Sequence, residues 1–471
     1  MSKEKQLLKN TIIVSIGKMC TQLITFFLLP LYTTVLSTTE YGLVDLLNTL
    51  ISLLLPIVTF QLEQGIFRYL IDYRNNYNKQ KEVISTSFFM IFGFAIIFTL
   101  FFIIISPVIN GNYKYFLFLS LISQIASTVL LQISRGIGNN FKYSFGSLLI
   151  GSVTVILNVV LIVWFKLGVY GMLLGTFLGN IIGSLYLFFS LKVYKLLNIN
   201  LFDKNISKNL LKYSIPLIPN SISWWIVNVS DRSIISFYMG VDANGIYSAA
   251  NKFSGVITTL YQIFNLTWTE SASIYINSND ADHYFSSIFD LVFRLFGSIC
   301  LCVIAYMPFI FNIMINNNFS DAYFQIPLLM VAAFFNILVS FIGSIYIAKK
   351  LTNEIAKTSI YAGLINIVVN FLLIRYIGLF AASLSTIIAY LTMFIFRFID
   401  SKKYINIKIN KKIIVYFSIF YMLVFISYYS NLKILNYIMA FGVTIFSLLL
   451  NKQNITTFIF LIFNKFFKKF N

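Results

Sequence analysis

Residues Trp224 to Gly240 read WWIVNVSDRSIISFYMG, and two adjacent charges, Asp231 and Arg232, stand in a run otherwise apolar enough to lie in a bilayer. A charged side chain at the centre of a membrane helix costs about 2.5–3.5 kcal/mol on insertion scales. That cost is tolerated where the side chain faces other helices or water, so the stretch raises two questions. One is whether the whole chain spans a membrane; the other is what the charges contribute.

Composition answers the first. Of 471 residues, 58% are hydrophobic and 11% charged, where a soluble domain carries about 25% charged residues. A water-soluble fold of this size has no interior large enough to hide so much apolar surface. The apolar runs are near-continuous and match the about 20 helical residues needed to cross a ~30 Å hydrocarbon core. Barrel strands would instead alternate with period two. The expected spans are 11–31, 43–63, 84–107, 114–134, 144–165, 169–190, 213–239, 244–269, 286–312, 324–347, 356–376, 378–398, 412–430 and 432–450. The fold class is therefore an all-α polytopic membrane protein of about fourteen transmembrane helices. Lys3, Lys5 and Lys9 precede the first run, which continues past Lys18 without a small-residue cleavage site, so it reads as a retained span.

Charge placement orients the helices. With the N-terminus in the cytoplasm, 27 of the 35 lysines and arginines fall on the inner side, Arg397 among them. Four lie outside (Lys114, Lys166, Arg375 and Lys433) and four within helices. This asymmetry follows the positive-inside rule and predicts that both termini are cytoplasmic. A basic inner face suits anionic lipid headgroups, so the net charge of +19 does not call for nucleic acid.

Motifs for chemistry are missing. Cys20, Cys300 and Cys302 fall in expected helices, with the last two on different faces, and read as small buried hydrophobes. The single histidine, His283, lies in a loop. No glycine-rich phosphate loop, zinc-protease pattern or nucleophile elbow occurs, so the expectation is a protein without catalytic residues, metal or cofactor.

The chain repeats itself. A shift of 203 positions lays LLKNTII (7–13) over LLKYSIP (210–216), Gly42 over Gly245 and Asn48 over Asn251. A shift of 210 lays GVYGMLLGT (168–176) over GLFAASLST (378–386). Gly171, Gly175, Gly179 and Gly183 form a stripe at every fourth residue, answered by Ala381, Ser385, Ala389 and Met393. Small-xxx-small patterns let membrane helices approach closely, so packing is the expected role. Six helices per unit, an even number, make the repeats parallel. The expected organisation is 1–195 as an N-terminal six-helix bundle, 196–403 as a second, and 404–471 as two further helices with a basic cytoplasmic tail.

The stretch IPLIPNSISWWIVNVSDRSIISFYMGVDANGIYSAANKF (215–253) resembles a recurring block in Wzx-type polysaccharide flippases, which export O-antigen and capsule repeat units and belong to the MATE-like MOP exporter superfamily. Pro216 and Pro219, the Asp231–Arg232 pair, Gly240 and GIYS at Gly245–Ser248 carry the resemblance, together with Asn370 to Gly378 and the AASLST that follows. The resemblance implies two six-helix bundles, a central cavity, and flipping of undecaprenyl-pyrophosphate-linked oligosaccharides between leaflets of a bacterial cell membrane. It also implies the membrane lipids as surroundings and a polysaccharide polymerase machinery as the consumer of the product.

The residues themselves suggest a site. At membrane depth stand Lys18, Asp45, Glu63, Asp231, Arg232, Lys252, Glu270, Asp290 and Arg294. Glu63, Glu270 and Asp290 lie near expected helix ends, within reach of water. Asp231 and Arg232 point about 100° apart and cannot face one another. Ser248, Asn251 and Lys252 share a helix face, and their repeat counterparts Asp45, Asn48 and Thr49 share another. A pyrophosphate concentrates negative charge, and lysine partners phosphate as a point charge. Lys18, Arg232, Lys252 and Arg294 are thus the expected cationic lining for substrate. Asp45, Asn48, Asp231, Ser248 and Asn251 are the expected polar and coupling residues, with Na⁺ or H⁺ left open as the coupling ion. Trp224, Trp225, Tyr261 and Trp268 offer sugar-stacking faces or simple bulk.

Two other functions compete. A cation-coupled multidrug exporter of the same superfamily would favour an acidic or aromatic pocket. A membrane polysaccharide polymerase or glycosyltransferase would carry a large outer loop or clustered carboxylates, and here the outer acids Glu40, Asp242 and Asp321 are isolated.

Overall fold

The computed structural model describes residues 22–452 except 109, 110, 112, 350 and 431, together with 456. Lys18 and the tail beyond these limits lie outside the described residues. Two compact units divide the chain, Met1–Ser248 and Ala249–Asn471.

In the first unit the helices are α1 (Leu29–Val35), α2 (Thr38–Val58), α3 (Leu62–Asp72), α4 (Tyr77–Ile105), α5 (Tyr113–Gly136), α6 (Asn140–Val159), α7 (Gly168–Ser190), α8 (Lys204–Ser214) and α9 (Ile218–Met239). Helix α10 (Val241–Tyr275) begins in this unit and continues into the second, followed there by α11 (Ala281–Met314), α12 (Ala322–Ala348), α13 (Thr352–Ile377), α14 (Leu379–Ser401), α15 (Lys411–Ser430) and α16 (Lys433–Leu450). No strand occurs among the described residues.

Eleven described helices are long and apolar enough to cross a membrane. The three other expected spans are the first, whose residues 11–21 lie outside the described ones, and α9 and α10. Those two have 22 and 35 residues, so length suffices. Their polar residues lower the hydropathy, and they are the helices that carry Asp231, Arg232, Ser248 and Lys252. Apolar side chains are exposed along α4: Ile97, Leu100, Phe101 and Ile104, the last by 74%. On a water-soluble protein such a continuous apolar strip would be unstable as a free surface.

Helix starts lie outside the apolar runs because caps set them. Ser37 accepts from the Glu40 amide at 3.2 Å while the Glu40 carboxylate accepts from the Ser37 amide at 2.9 Å, a reciprocal box that opens α2. Asn76 accepts from the Lys79 amide and starts α4 at Tyr77, seven residues before the apolar run. Hydropathy locates the part of a helix in lipid, whereas the cap locates its end.

Span 43–63 differs from expectation. It is two helices, α2 and α3, separated at Thr59–Gln61, where Phe60 and Gln61 both take left-handed φ of 51° and 57°. Glu63 consequently sits in the first turn of α3, is 2% exposed, and does not reach water.

The glycine stripe of α7 packs on α6. Added Cβ atoms at Gly175, Gly179 and Gly183 would meet Asn158, Thr154 and Ile150 respectively. In the second unit Ala381, Ser385, Ala389 and Met393 are all buried on α14. Arg397, counted above among inner-face charges, is 1% exposed and ties three helices together. Its Nε donates to Thr358 Oγ1 (2.9 Å), Nη1 to the Val339 carbonyl (3.3 Å), and Nη2 to the Ile355 carbonyl and Ser359 Oγ (both 3.2 Å).

Candidate functional site

Helices α2, α9 and α10 meet at Asp45. The close approach is made by glycine: a Cβ on Gly42 would overlap the Val241 carbonyl oxygen, and one on Gly245 would overlap the Thr38 carbonyl oxygen. The Asn244 amide donates to the Gly42 carbonyl at 2.9 Å and fastens the crossing. Gly240, with φ of 97°, makes the turn that brings α10 back against α9.

One turn beyond the glycines, Asp45 receives two donors. Arg232 Nη1 on α9 lies 3.1 Å from Oδ1, and Ser248 Oγ on α10 lies 2.5 Å from Oδ2. The Asp45 and Arg232 side chains are 11% and 22% exposed, so water screens this pair less than a surface pair. Trp225, two turns before Arg232, donates from Nε1 to the Thr49 carbonyl (3.0 Å) and Ser52 Oγ (3.1 Å), giving α9 a second rung on α2.

Asp231 turns the other way. It is 3% exposed and its Oδ2 accepts from the Tyr247 hydroxyl at 3.2 Å. The two adjacent charges of the opening stretch therefore serve different neighbours, Asp231 within the α9–α10 hairpin and Arg232 across to α2.

The other expected site residues fall as follows. Asn48 is exposed, Asn251 accepts from Ser254 Oγ at 2.5 Å, and Lys252 is half-buried on α10. Arg294, in the second unit, pairs with Asp290 at 2.6 Å and donates to the Leu450 carbonyl at 3.5 Å. The structure thus unites Asp45, Arg232 and Ser248, and gives Arg232 and Arg294 each a carboxylate partner. Tyr261 and Trp268 are buried packing residues, with the Trp268 ring stacked 4.4 Å from Phe341 and its Nε1 donating to the Phe341 carbonyl.

Glu63 and Arg397 are the charged residues that sequence reasoning discounted. The polar residues Gln61, Glu63 and Gln64 interrupting an apolar span were the available signal for the first. No group of three or more His, Cys, Asp or Glu suited to a metal occurs among the described residues.

Comparison with known proteins bears on this arrangement. A family model described as polysaccharide biosynthesis protein matches residues 7–268, the part that contains α2, α9 and the Asp45 cluster. The fold is similar to that of the lipid II flippase MurJ in an inward closed conformation, at 16% identity and a TM-score of 0.69, covering 94% of this chain and all (100%) of that one. It is equally similar (TM-score 0.69, 12% identity) to an inward-facing multidrug resistance MATE family transporter of the MOP superfamily, covering 81% of this chain and 95% of that one. A MOP superfamily transporter from Pyrococcus furiosus aligns with a TM-score of 0.58 and 13% identity over 83% of this chain and 94% of its own. No curated protein matches by sequence. At these identities the likeness is one of fold.

Proposed function

We propose that this chain, which belongs to the polysaccharide biosynthesis protein family, is a flippase. It moves undecaprenyl-pyrophosphate-linked oligosaccharide repeat units from the cytoplasmic to the outer leaflet of a bacterial cell membrane by alternating access. Both termini are cytoplasmic, and residues 1–195 and 196–403 act as the two six-helix bundles, with 404–471 appended. It makes and breaks no covalent bond, and surface-polysaccharide polymerase machinery consumes what it delivers.

The observation that carries this reading is the Asp45–Arg232–Ser248 cluster, a charged and hydrogen-bonded knot on helices of a membrane chain in that family. A pair built only for stability would be replaceable by apolar packing at little cost. A pair that must break and re-form lets an arginine exchange a carboxylate for a phosphate. In this reading Lys252 and Lys18 hold the pyrophosphate throughout the cycle, and Arg232 joins them when it leaves Asp45. Arg294 would join only by leaving Asp290. Asn48, Asn251 and Asp231 line the hydrated path.

The test is complementation. The protein is expressed in several bacterial hosts that lack their own repeat-unit flippase, and surface polymer and inner-leaflet lipid-linked intermediate are measured together. Restored polymer with cleared intermediate supports the flippase. Correct insertion without restoration in any host, combined with drug resistance conferred by the same protein, would move the assignment to a multidrug exporter.

A further inference from the structure

The break between α2 and α3 carries chemistry that the Asp45 cluster does not use. Pro56 lies in the last turn of α2, and the chain then passes through two consecutive left-handed non-glycine residues, Phe60 and Gln61. Such a conformation is sterically unfavourable and is kept where surrounding structure enforces it, commonly at functional sites. Gln61 is held there by donation from Nε2 to Ser221 Oγ at 2.7 Å.

Two residues on, Glu63 is 2% exposed and its Oε2 has no hydrogen-bond partner. The carboxyl's polar neighbours are Thr59, one turn back, and its own backbone amide, and burial outweighs both. Thr59 already commits its hydroxyl proton to the Leu55 carbonyl at 2.8 Å. A hydroxyl so committed has acceptor capacity left, and what it can accept from is a carboxylic acid, not a carboxylate.

Among the described residues no cation offsets a charge here. On and after α3, Arg68 pairs with Asp72 at 2.5 Å and Arg74 donates to the Gly136 carbonyl at 2.9 Å. At the start of α4, Lys79 pairs with Glu82 at 2.5 Å and Lys81 lies over the Tyr77 ring. On α5, Arg135 stacks 4.3 Å from the Phe67 ring centroid. On α8, Lys204, Lys208 and Lys212 are exposed, and Tyr213 meets Tyr69 edge to face. Among the described residues Glu63 forms no ion pair. The first turn of a helix favours an anion, but that effect is several-fold smaller than the desolvation of a buried carboxylate.

We propose that Glu63 is a proton-binding site that couples transport to a proton gradient. It holds a proton in this conformation, in which Oε2 has no partner to stabilise a charge. When the Thr59–Gln61 break rearranges and opens to water, the carboxyl gives that proton to water and becomes a carboxylate; it takes a proton back on reclosing. Asp45, engaged by Arg232 and Ser248, is left to the substrate cycle. The coupling half of the proposal rests on the flippase reading, whereas the protonation half does not.

Two measurements on the full-length purified protein separate the halves. In infrared spectra at neutral pH, wild type is expected to show a protonated-carboxyl C=O band that Glu63→Gln loses and Glu63→Asp retains at a shifted position. A band unchanged in Glu63→Gln, or displaced by adding Na⁺, overturns the proton site. In vesicles loaded with a fluorescent undecaprenyl-diphosphate-linked disaccharide, an imposed pH gradient is expected to accelerate flipping about tenfold in wild type and not in Glu63→Gln. Flipping that ignores the gradient in wild type overturns coupling. Absence of flipping beside a Glu63-dependent band supports the proton site and overturns the flippase reading instead. Should Glu63→Gln fail to fold, Glu63→Asp carries the spectroscopic test, and a C=O band that does not move in this variant overturns the proton site, while the wild-type gradient response still decides coupling.

Discussion

Gly42 and Gly245, 203 positions apart in sequence, touch: a Cβ built on Gly42 would lie 2.7 Å from the Gly245 amide nitrogen, and one on Gly245 would lie 3.0 Å from that of Gly42. The same separation joins Thr38 to Val241, whose carbonyls bracket the two glycines, and Asp45 to Ser248, which are hydrogen-bonded. Equivalent positions of the repeat therefore meet one another along α2 and α10. That is what a local two-fold axis through the Gly42–Gly245 contact produces. With glycine on both sides the backbones approach closely, and the next turn places Asp45 against Ser248.

A methyl group at this crossing has nowhere to go, because the atoms it meets are backbone and cannot change rotamer. Gly42→Ala and Gly245→Ala are each expected to destabilise the protein by about 1–3 kcal/mol or more. Thermal unfolding in detergent should show both midpoints lowered. Gly93→Ala is the control: nothing lies within 4 Å of its added Cβ, and its midpoint should hold or rise slightly.

The Asp45–Arg232 pair is partly withdrawn from water, so its loss should cost more than a surface pair and less than a fully buried one. Asp45→Asn and Arg232→Gln are each expected to cost about 1–3 kcal/mol, since Arg232 Nε is already without a partner. The double variant should cost clearly less than the sum, which a double-mutant cycle on unfolding midpoints measures. Equal additivity would show that the two side chains do not act on each other.

Hydropathy found most of the spans because lipid contact dominates the composition of a helix such as α4. It failed where other forces dominate. Nothing apolar distinguishes a straight span from the left-handed break at Phe60–Gln61, although the polar run that follows it was visible. Arg397 read as a loop charge since it ends an apolar run, yet its partners lie on α12 and α13, 38 to 58 residues away. Ser248 and Lys252 share a face of α10 by their spacing of four. Which acid Ser248 would meet depended on the glycine crossing, and the repeat offset pointed to that pair without revealing that its members touch.

Arg397 gives a third expectation. Its guanidinium is held by two hydroxyls and two carbonyls, with no carboxylate in ion-pair range among the described residues. Lysine keeps the charge but cannot supply the planar fork that reaches α12 and α13 together. Arg397→Lys and Arg397→Met are both expected to lower stability by about 2–4 kcal/mol, seen as loss of folded protein on size-exclusion chromatography or a lowered melting midpoint. Exposed Lys402→Ala, five residues on, should change neither.

Lys252 separates substrate binding from scaffolding. It shares a face of α10 with Ser248 and Asn251, and in the proposed cycle its ammonium meets the pyrophosphate. Lys252→Gln keeps most of the side-chain volume and removes the charge. It is expected to raise the substrate concentration for half-maximal flipping about tenfold, equivalent to about 1.4 kcal/mol. Lys252→Arg should recover most of the affinity, because phosphate accepts either cation. Arg294→Gln should behave in the opposite way. It leaves Asp290 without its 2.6 Å partner and frees the Leu450 carbonyl, so the midpoint should fall with little change in apparent affinity. Vesicle flipping assays on the three variants, paired with melts of the same preparations, decide it. A stability loss at Lys252 with unaltered affinity would assign that lysine to packing.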